Sequence, residues 1–431
     1  MTYPKTILTK PIRRGIMIFL FVIFFVVSPL VIMYTAGYRY DFSTGQIEQT
    51  GVLSIDAKPN DIQVFLNNVK VNKNMPIRLS NRAPGNYTLL LQKSGYQDWS
   101  KEISIESRKT TYVRDITLFK QSLPIKILPT LDNITNLHTS FNGEYILVQT
   151  KNKNINELYL YKTATEDLTS IYRALENVEI SWSPFANFFA IKTPTSIQIT
   201  NANTPDTTQT YNFTTNITNL QWSNSEFSPL LYIQELNEIN SFNLNKKELI
   251  FTLPFKTNIW YTKDNQNIWH YSEGKIKNED KEYNLGNGVE KIININNNRI
   301  IYKTSSEIKI LDFDNLDNNH NINATNHLYN SHTNEWLIWS PWELWSIYED
   351  GRAELFDRTS EKIEFLYPLD KYGVLLLANE NRITSFNPGY YITHELLSEV
   401  YIKQISANPN ARKIFFLGNY SGVDGVFKLE Y

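Results

Sequence analysis

Four tryptophans within ten residues form the most unusual cluster of side chains in this sequence. Trp336, Trp339, Trp342 and Trp345 recur every third residue, whereas the side chains on one face of a β-strand recur every second residue. We therefore expect Trp336 and Trp345 to pack between structural units. We expect Trp339 or Trp342, which flank a Ser-Pro turn, to be an exposed platform for a sugar or a peptide, since exposed aromatic side chains often mark binding sites.

Histidines and aspartates in a nearby Asn-rich region have the residue types of metal ligands. His320, His327 and His332 are seven and five residues apart, but a zinc site needs ligands that are held facing one another. The acidic segment 312–317 has three aspartates and lacks the glycine and the distal glutamate of an EF-hand loop. We interpret both groups as solvated loops and predict neither a metal site nor a cofactor.

Motifs for covalent catalysis are equally weak. The segment GNYSG at 418–422 does not have the spacing of a nucleophile elbow and has the composition of a turn. The chain contains no cysteine, which excludes disulfides, thiolate metal sites and a cysteine nucleophile. We predict no catalytic residue.

The elements that must position these residues begin with an apolar segment at 15–36, GIMIFLFVIFFVVSPLVIMYTA. About 20 helical residues span a bilayer core, so this segment is predicted to be a transmembrane helix. Four basic residues and no acidic residue precede it, and the positive-inside rule places residues 1–14 in the cytoplasm and the remaining chain outside. The alternative is a cleaved signal peptide, which usually has a shorter apolar core and small residues before the cut.

The charge balance limits the partners of the exported part. The whole chain has a net charge of −2, and the four basic residues of the tail account for part of its positive charge. The exported part is therefore net acidic, which argues against nucleic acid as a partner. The predicted location is the cell membrane, crossed once and contacted through residues 15–36.

A small β module is predicted at 51–119, after a juxtamembrane linker at 37–50. Apolar residues alternate in several short runs, and Asn67-Asn68 can adopt the positive φ of a tight hairpin turn. Strands at roughly ten-residue spacing predict a compact antiparallel sandwich.

This module resembles the PEGA domain, a small bacterial surface β-sandwich. The resemblance lies in a strand, a Pro-containing turn and a hairpin, followed by APGNYTLLLQKSGYQDW at 83–99. Pro84-Gly85, Gly95-Tyr96 and Trp99 match the second half of the family pattern, whereas the segment 59–62 keeps only the proline of the naming tetrapeptide. The order of anchor, connector and module is similar to membrane-anchored bacterial PEGA proteins, a resemblance that implies no catalytic residues.

The remaining residues, 120–431, repeat about every 33 to 41 residues. Each repeat has a strand, a Ser-Pro or Asn-containing turn, an aromatic-rich strand and further short strands, which is typical of a β-propeller blade. Eight blades fit best, and seven stay open because the 254–288 unit is short. The turns resemble those of WD40 and TolB-like propellers. We also predict that Ile125–Leu128 joins the blade of the last strand, Val426–Leu429, which hides both sheet edges.

The sequence thus predicts an all-β chain with one transmembrane helix and two function classes. The first is a binding or scaffold protein of the cell envelope, whose propeller engages cell-wall glycan or an envelope protein. The second is a propeller enzyme, a glycan hydrolase or lyase. Because propellers host both classes, the distinguishing feature is a pair of carboxylates about 5 to 10 Å apart, as glycoside hydrolysis requires.

Overall fold

The computed structural model describes residues 10–41, 45–129, 131–223, 230–236, 238–244, 246, 248–254, 257–262, 268–296 and 299–431. The chain divides into two compact units, residues 1–121 and 122–431. Apart from one helix and a short 3₁₀ turn at Leu316–Asn318, the regular structure of the described residues consists of strands.

The first unit begins with a helix, Lys10–Thr35, whose mean hydropathy is 3.1 and whose apolar side chains are exposed. By length and composition this helix is a candidate membrane span, and an apolar N-terminal helix is also what a signal sequence has. Arg39 lies four residues after the C-terminal end of the helix. Its guanidinium lies 3.8 Å from the centre of the Tyr34 ring and donates a 2.7 Å hydrogen bond to the Tyr34 carbonyl, where a cation is favourable.

The predicted linker is structured, since Tyr38–Asp41 and Gln46–Gln49 form a two-stranded hairpin. Two sheets follow it. One contains the strands Ile77–Arg82, Gly51–Lys58 and Thr110–Thr117, in that order, and the other contains Val69–Val71, Gln63–Leu66, Gly85–Gln92 and Trp99–Ile105. The predicted turn is present, because Asn67 and Asn68 both have positive φ between paired strands.

The prediction of a purely antiparallel sandwich was wrong in one pairing. Gly51–Lys58 and Thr110–Thr117 run parallel, with Leu53 opposite Thr111. After Trp99–Ile105 in the four-stranded sheet, the chain crosses to the three-stranded sheet. There Thr110–Thr117 runs in the same direction as Gly51–Lys58. Alternate side chains of both sheets fill the core between them, including Leu53, Leu89 and Leu91, which are fully buried.

The second unit is a β-propeller. In the described residues it contains eight four-stranded sheets, and each sheet is antiparallel. Sheets 1 to 4 consist, in order, of Ile134–Thr139, Tyr145–Asn152, Ile155–Lys162 and Asp167–Ala174; Glu179–Trp182, Phe188–Lys192, Ser196–Asn201 and Gln209–Asn212; Ile217–Trp222, Leu230–Glu235, Glu238–Asn243 and Glu248–Pro254; and Trp260–Thr262, Ile268–Ser272, Lys275–Lys277 and Glu282–Asn284.

Sheets 5 to 8 continue the series. They consist of Val289–Asn296, Arg299–Thr304, Ile308–Asp312 and His320–Ile322; Asn326–Asn330, Glu335–Trp339, Glu343–Ile347 and Ala353–Arg358; Phe365–Pro368, Leu375–Ala378, Ile383–Asn387 and Ile392–Leu397; and Val400–Asn408, Lys413–Tyr420, Val423–Glu430 and Ile125–Ile127. First strands of neighbouring sheets contact one another, as in sheets 1 and 2 and in sheets 8 and 1, so they surround the axis.

The ring closes as the sequence predicts. Ile125–Ile127 pairs with the last strand, with Ile127 opposite Val426. Sheet 8 therefore takes its outermost strand from the beginning of the unit. Apolar clusters fill the space between sheets 8 and 1 and between each successive pair from sheet 1 to sheet 7. The hydroxyl of Tyr431 donates a 2.7 Å bond to the Leu369 carbonyl of sheet 7.

Candidate functional site

The tryptophan run lies in sheet 6, and its four rings have different environments. Trp339 ends the second strand and is only 8% exposed, because it packs in the apolar cluster between sheets 6 and 7. Trp342 lies in the next turn and is 54% exposed. Trp336 and Trp345 are half-buried against the cluster between sheets 5 and 6. Trp339 is therefore not available as a platform, and of the two candidates only Trp342 presents its ring to solvent.

The two Trp-Ser-Pro segments of the chain form topologically different turns. Trp182-Ser183-Pro184 follows the first strand of sheet 2, whereas Trp339-Ser340-Pro341 follows the second strand of sheet 6. In both turns the serine hydroxyl accepts backbone N–H bonds from the residues after the proline, a local role in turn formation. Because successive turns of an antiparallel sheet alternate between its two ends, the segments lie on opposite faces of the ring.

A pocket of about 580 Å³ opens on the face that carries Pro184, which we call the pocket face. It is formed by sheets 1 and 2 together with sheets 5 and 6, so it lies across the ring. Its volume is in the range of small-molecule sites. The residues that line it are Thr139, Phe141, Trp182, Ser183, Pro184, Phe185, Asn294, Asn296, Arg299, Ile301, His327, Leu328, Tyr329, Ser331, Asn334, Trp336, Ile347, Tyr348 and Glu349.

The lining combines aromatic rings with side-chain amides. Phe141 projects from the first turn of sheet 1 and is 49% exposed. Across the pocket, the rings of Tyr329 and Trp336 have their centres 5.1 Å apart, and the Tyr329 hydroxyl donates a 3.3 Å bond to Asn334 Oδ1. Asn294 Oδ1 accepts a 2.9 Å bond from the hydroxyl of Tyr261. These contacts fix the orientation of the amides and leave their N–H groups as potential donors to a ligand.

Trp182 supports the rim of the pocket from sheet 2. Its indole Nε1 donates a 2.9 Å bond to the His138 carbonyl of sheet 1, and its ring lies 5.0 Å from that of Phe189. The same link recurs one sheet further, where Trp222 Nε1 donates to Ser181 Oγ at 2.8 Å. These tryptophans at the ends of first strands therefore join neighbouring sheets around the axis.

His327 is one of the ionisable residues that line the pocket. Burial, together with the positive charges of Lys291 and Lys303, lowers the pKa of His327 to about 4, so the ring is neutral at pH 7. Burial and the negative charge of Glu349 raise the pKa of Tyr329. Burial also raises the pKa of Tyr348. At neutral pH the pocket is therefore lined by a neutral imidazole and two neutral phenols, together with the guanidinium of Arg299 and the side chain of Glu349.

The residues that the sequence analysis considered as metal ligands or as a nucleophile lie in different parts of the propeller. His320 begins the outermost strand of sheet 5, whereas His327 lies on the first strand of sheet 6. The carboxylate of Asp312 accepts bonds from Arg299 and from the backbone of Asp314 and Asn315. No group of three or more histidine, aspartate or glutamate side chains within the described ranges has the arrangement of a metal site. Ser421 lies with Gly422 in a two-residue hairpin turn, and both have positive φ.

Sequence reasoning missed most of the pocket. Phe141, Phe185 and Tyr329 share no sequence motif. The first and the last of them are almost 190 residues apart in the chain. Their shared feature is position, since each lies at the end of a first strand or in the turn that follows it. An alignment of the repeats by strand number would have placed them on one face.

The small β module matches a known domain family. Residues 50–122 match the PEGA domain. The small β module predicted at 51–119 lies within these residues. We refer to these residues as the PEGA-like module.

Two solved structures of low sequence identity illustrate what the chain is similar to. A structure of Kluyveromyces lactis Hsv2p has a TM-score of 0.35 at 11% identity and covers 47% of this chain and 71% of its own. Hydrazine synthase of Kuenenia stuttgartiensis has a TM-score of 0.40 at 10% identity and covers 73% and 99% respectively. No curated protein matches the sequence.

Proposed function

We propose that this chain is a membrane-tethered binding or scaffold protein of the cell envelope, and that its propeller binds cell-wall glycan in the pocket. The N-terminal helix would hold the protein in the bilayer with residues 1–14 in the cytoplasm. The PEGA-like module would act as a spacer, and the propeller would present its pocket outside the cell membrane.

The composition of the pocket carries this proposal. Sugars have flat faces of C–H groups and equatorial hydroxyls, so aromatic rings beside side-chain amides provide the contacts they need. Phe141, Tyr329 and Trp336 supply rings, and Asn294 and Asn334 supply amides. A volume of about 580 Å³ is sufficient for a few sugar units.

An enzyme that hydrolyses glycans is less well supported by the same lining. Glycoside hydrolysis uses two carboxyl groups on either side of the scissile bond. Among the described residues that line the pocket, Glu349 is the one carboxylate. Binding is therefore the function that this geometry supports best.

The test is retention of the full-length chain, in mild detergent, on purified bacterial sacculi. Phe141→Ala should reduce retention at least fivefold, because an exposed anchor ring carries about 1 kcal/mol or more of binding energy. Tyr391→Ala is the control, since Tyr391 is 61% exposed and does not line the pocket. Both variants should melt like the wild type.

A further variant, Trp342→Ala, tests whether the ligand binds on the face of the ring opposite the pocket. If Trp342→Ala reduces retention and Phe141→Ala does not, the ligand binds on the face opposite the pocket. If the wild type is retained on crude envelopes but not on sacculi, the partner is an envelope protein. Release of reducing sugar from sacculi would favour the enzymatic function.

A further inference from the structure

The hairpin that follows the N-terminal helix has one face of large, exposed apolar side chains. Tyr40 lies directly opposite Ile47 on the neighbouring strand, and Tyr38 is on the same face because side chains alternate along a strand. Tyr38 is 37% exposed, Tyr40 is 53% exposed and Ile47 is 56% exposed. Large apolar side chains that are exposed next to one another indicate an interaction surface.

The other face of the hairpin is polar. Arg39 lies opposite Glu48, and both residues are half-buried. Arg39 Nη2 donates a 3.1 Å hydrogen bond to Asn81 Oδ1, which belongs to the strand Ile77–Arg82. The hairpin is therefore amphipathic, since its polar face contacts the PEGA-like module and its apolar face lies on the other side.

Hydrogen bonds attach this hairpin to the end of the helix. Arg39 Nη1 donates to the Tyr34 carbonyl at 2.7 Å, and Gln49 Nε2 donates to the Ala36 carbonyl at 3.0 Å. The headgroup layer of a bilayer extends roughly 5 to 7 Å beyond the hydrocarbon core on each side. The two residues from Tyr38 onward advance by about 7 Å at most. A helix that spans the bilayer therefore places the start of the hairpin at the headgroup layer.

We propose that the bilayer binds the apolar face of this hairpin, so that Tyr38, Tyr40 and Ile47 insert among the lipid headgroups and hold the PEGA-like module at the membrane surface. The partner is lipid because this face follows directly after a helix whose apolar side chains are exposed as well. Tyrosine is favoured at this depth, since its ring is apolar and its hydroxyl can reach water. The inference rests on the membrane anchoring proposed above, and it adds a second lipid contact to that of residues 15–36.

The test measures how deep the hairpin lies in a bilayer. The chain contains no cysteine, so a nitroxide spin label can be attached to one introduced cysteine. Full-length Tyr40→Cys and Ile47→Cys are labelled and reconstituted in liposomes of phosphatidylcholine and phosphatidylglycerol. Power saturation compares collisions of the label with oxygen, which partitions into lipid, and with a polar nickel chelate, which stays in water. The oxygen-to-nickel ratio should be about threefold or more above that of a control label in water, because an interfacial apolar face is buried at the boundary of headgroups and acyl chains.

Ser94→Cys is the matched control. Ser94 is exposed and lies just after the strand Gly85–Gln92. The other end of this strand is the one near the hairpin, because Gly85 pairs with Ile105, and Ile105 lies beside Gly51. The strand is roughly 24 Å long, so a label at Ser94 should be fully accessible to the nickel chelate.

Phe24→Cys tests the anchor separately. Phe24 lies in the middle of the helix and is 63% exposed, so its label should have the highest oxygen-to-nickel ratio of the four. If it does, and the labels at positions 40 and 47 have the same ratio as the label at Ser94, the hairpin does not bind lipid although the helix spans the bilayer. If the label at Phe24 is as accessible to nickel as the label at Ser94, the helix is not in the bilayer, and both this inference and the proposed anchor are wrong.

Discussion

Arg299 and Asp312 form a buried ion pair beside the pocket. Arg299 Nη2 and Nε donate to Asp312 Oδ2 at 2.7 and 3.1 Å, and the same guanidinium donates to the carbonyls of Glu349 and Asp350 at 2.7 and 2.8 Å. Gly351 follows with a φ of +92°, and a Cβ there would lie 2.3 Å from Nη2. The pair therefore attaches the third turn of sheet 6 to sheet 5 and holds Glu349 at the pocket.

This pair predicts how stability depends on acid. Burial alone would raise the pKa of Asp312, but hydrogen bonds from Arg299, from Asn318 and from the backbone of Asp314 and Asn315 outweigh it and lower the pKa to about 2. An unfolded aspartate has a pKa of about 3.9. The folded value is the lower one, so the contribution is complete above about pH 4 and is lost as the pH falls toward 2.

We therefore expect Asp312→Asn to lower the free energy of unfolding at pH 7 by about 3 to 5 kcal/mol, because it leaves the Arg299 charge buried without its partner. The difference from the wild type should shrink between pH 4 and pH 2. Denaturant unfolding of both proteins at several pH values measures this. Asp350→Asn is the control, because that carboxylate is exposed and screened by solvent, so its loss should destabilise the protein much less than the loss of Asp312. A difference that is constant with pH would contradict the assignment.

A second prediction concerns ring closure. Phe427 lies on the strand that pairs with Ile125–Ile127, is 3% exposed and stacks on Phe416 with ring centres 5.2 Å apart. Phe427→Ala should cost about 3 to 5 kcal/mol. Val423 begins the same strand and is 46% exposed, so Val423→Ala should cost less than about 0.5 kcal/mol. Equal melting temperatures for the two variants would exclude an essential closing strand.

The sequence predicted the parts of the fold that depend on local pattern. Alternating apolar residues located the strands, Asn67-Asn68 located a hairpin, and the isolated strand at Ile125 located the ring closure. These signals are carried by neighbouring residues. The parallel pairing of Gly51–Lys58 with Thr110–Thr117 has no such signal, because it depends on which sheet the last strand joins.

The residues of the pocket were harder to predict from the sequence for the same reason. Alternation shows which side chains are buried, but it does not show at which end of a sheet a turn lies, which depends on the strand number. Trp-Ser-Pro therefore looked equivalent at 182–184 and 339–341, although the segments lie on opposite faces. The pocket joins residues as distant as Phe141 and Tyr348, which only the ring geometry brings together.

The third prediction concerns the orientation in the membrane. Four basic residues precede the apolar helix and no acidic residue does, so the N-terminus should remain in the cytoplasm. Protease added to intact spheroplasts should digest the PEGA-like module and the propeller and spare an epitope tag at the N-terminus. Lysed spheroplasts, in which the tag is also digested, provide the control. A mature protein that begins near Tyr38 would show that the helix is a cleaved signal sequence.

The last prediction separates the two tryptophans that flank the Ser-Pro turn of sheet 6. Trp339 is 8% exposed between sheets 6 and 7, so Trp339→Ala should lower the free energy of unfolding by about 3 to 5 kcal/mol. Trp342 is 54% exposed, so Trp342→Ala should change it by less than about 0.5 kcal/mol. Thermal and denaturant melts of the two variants, which have the same composition, measure the difference directly. If Trp342→Ala melts as early as Trp339→Ala, the Trp342 ring is part of the packing and is not free to bind a partner.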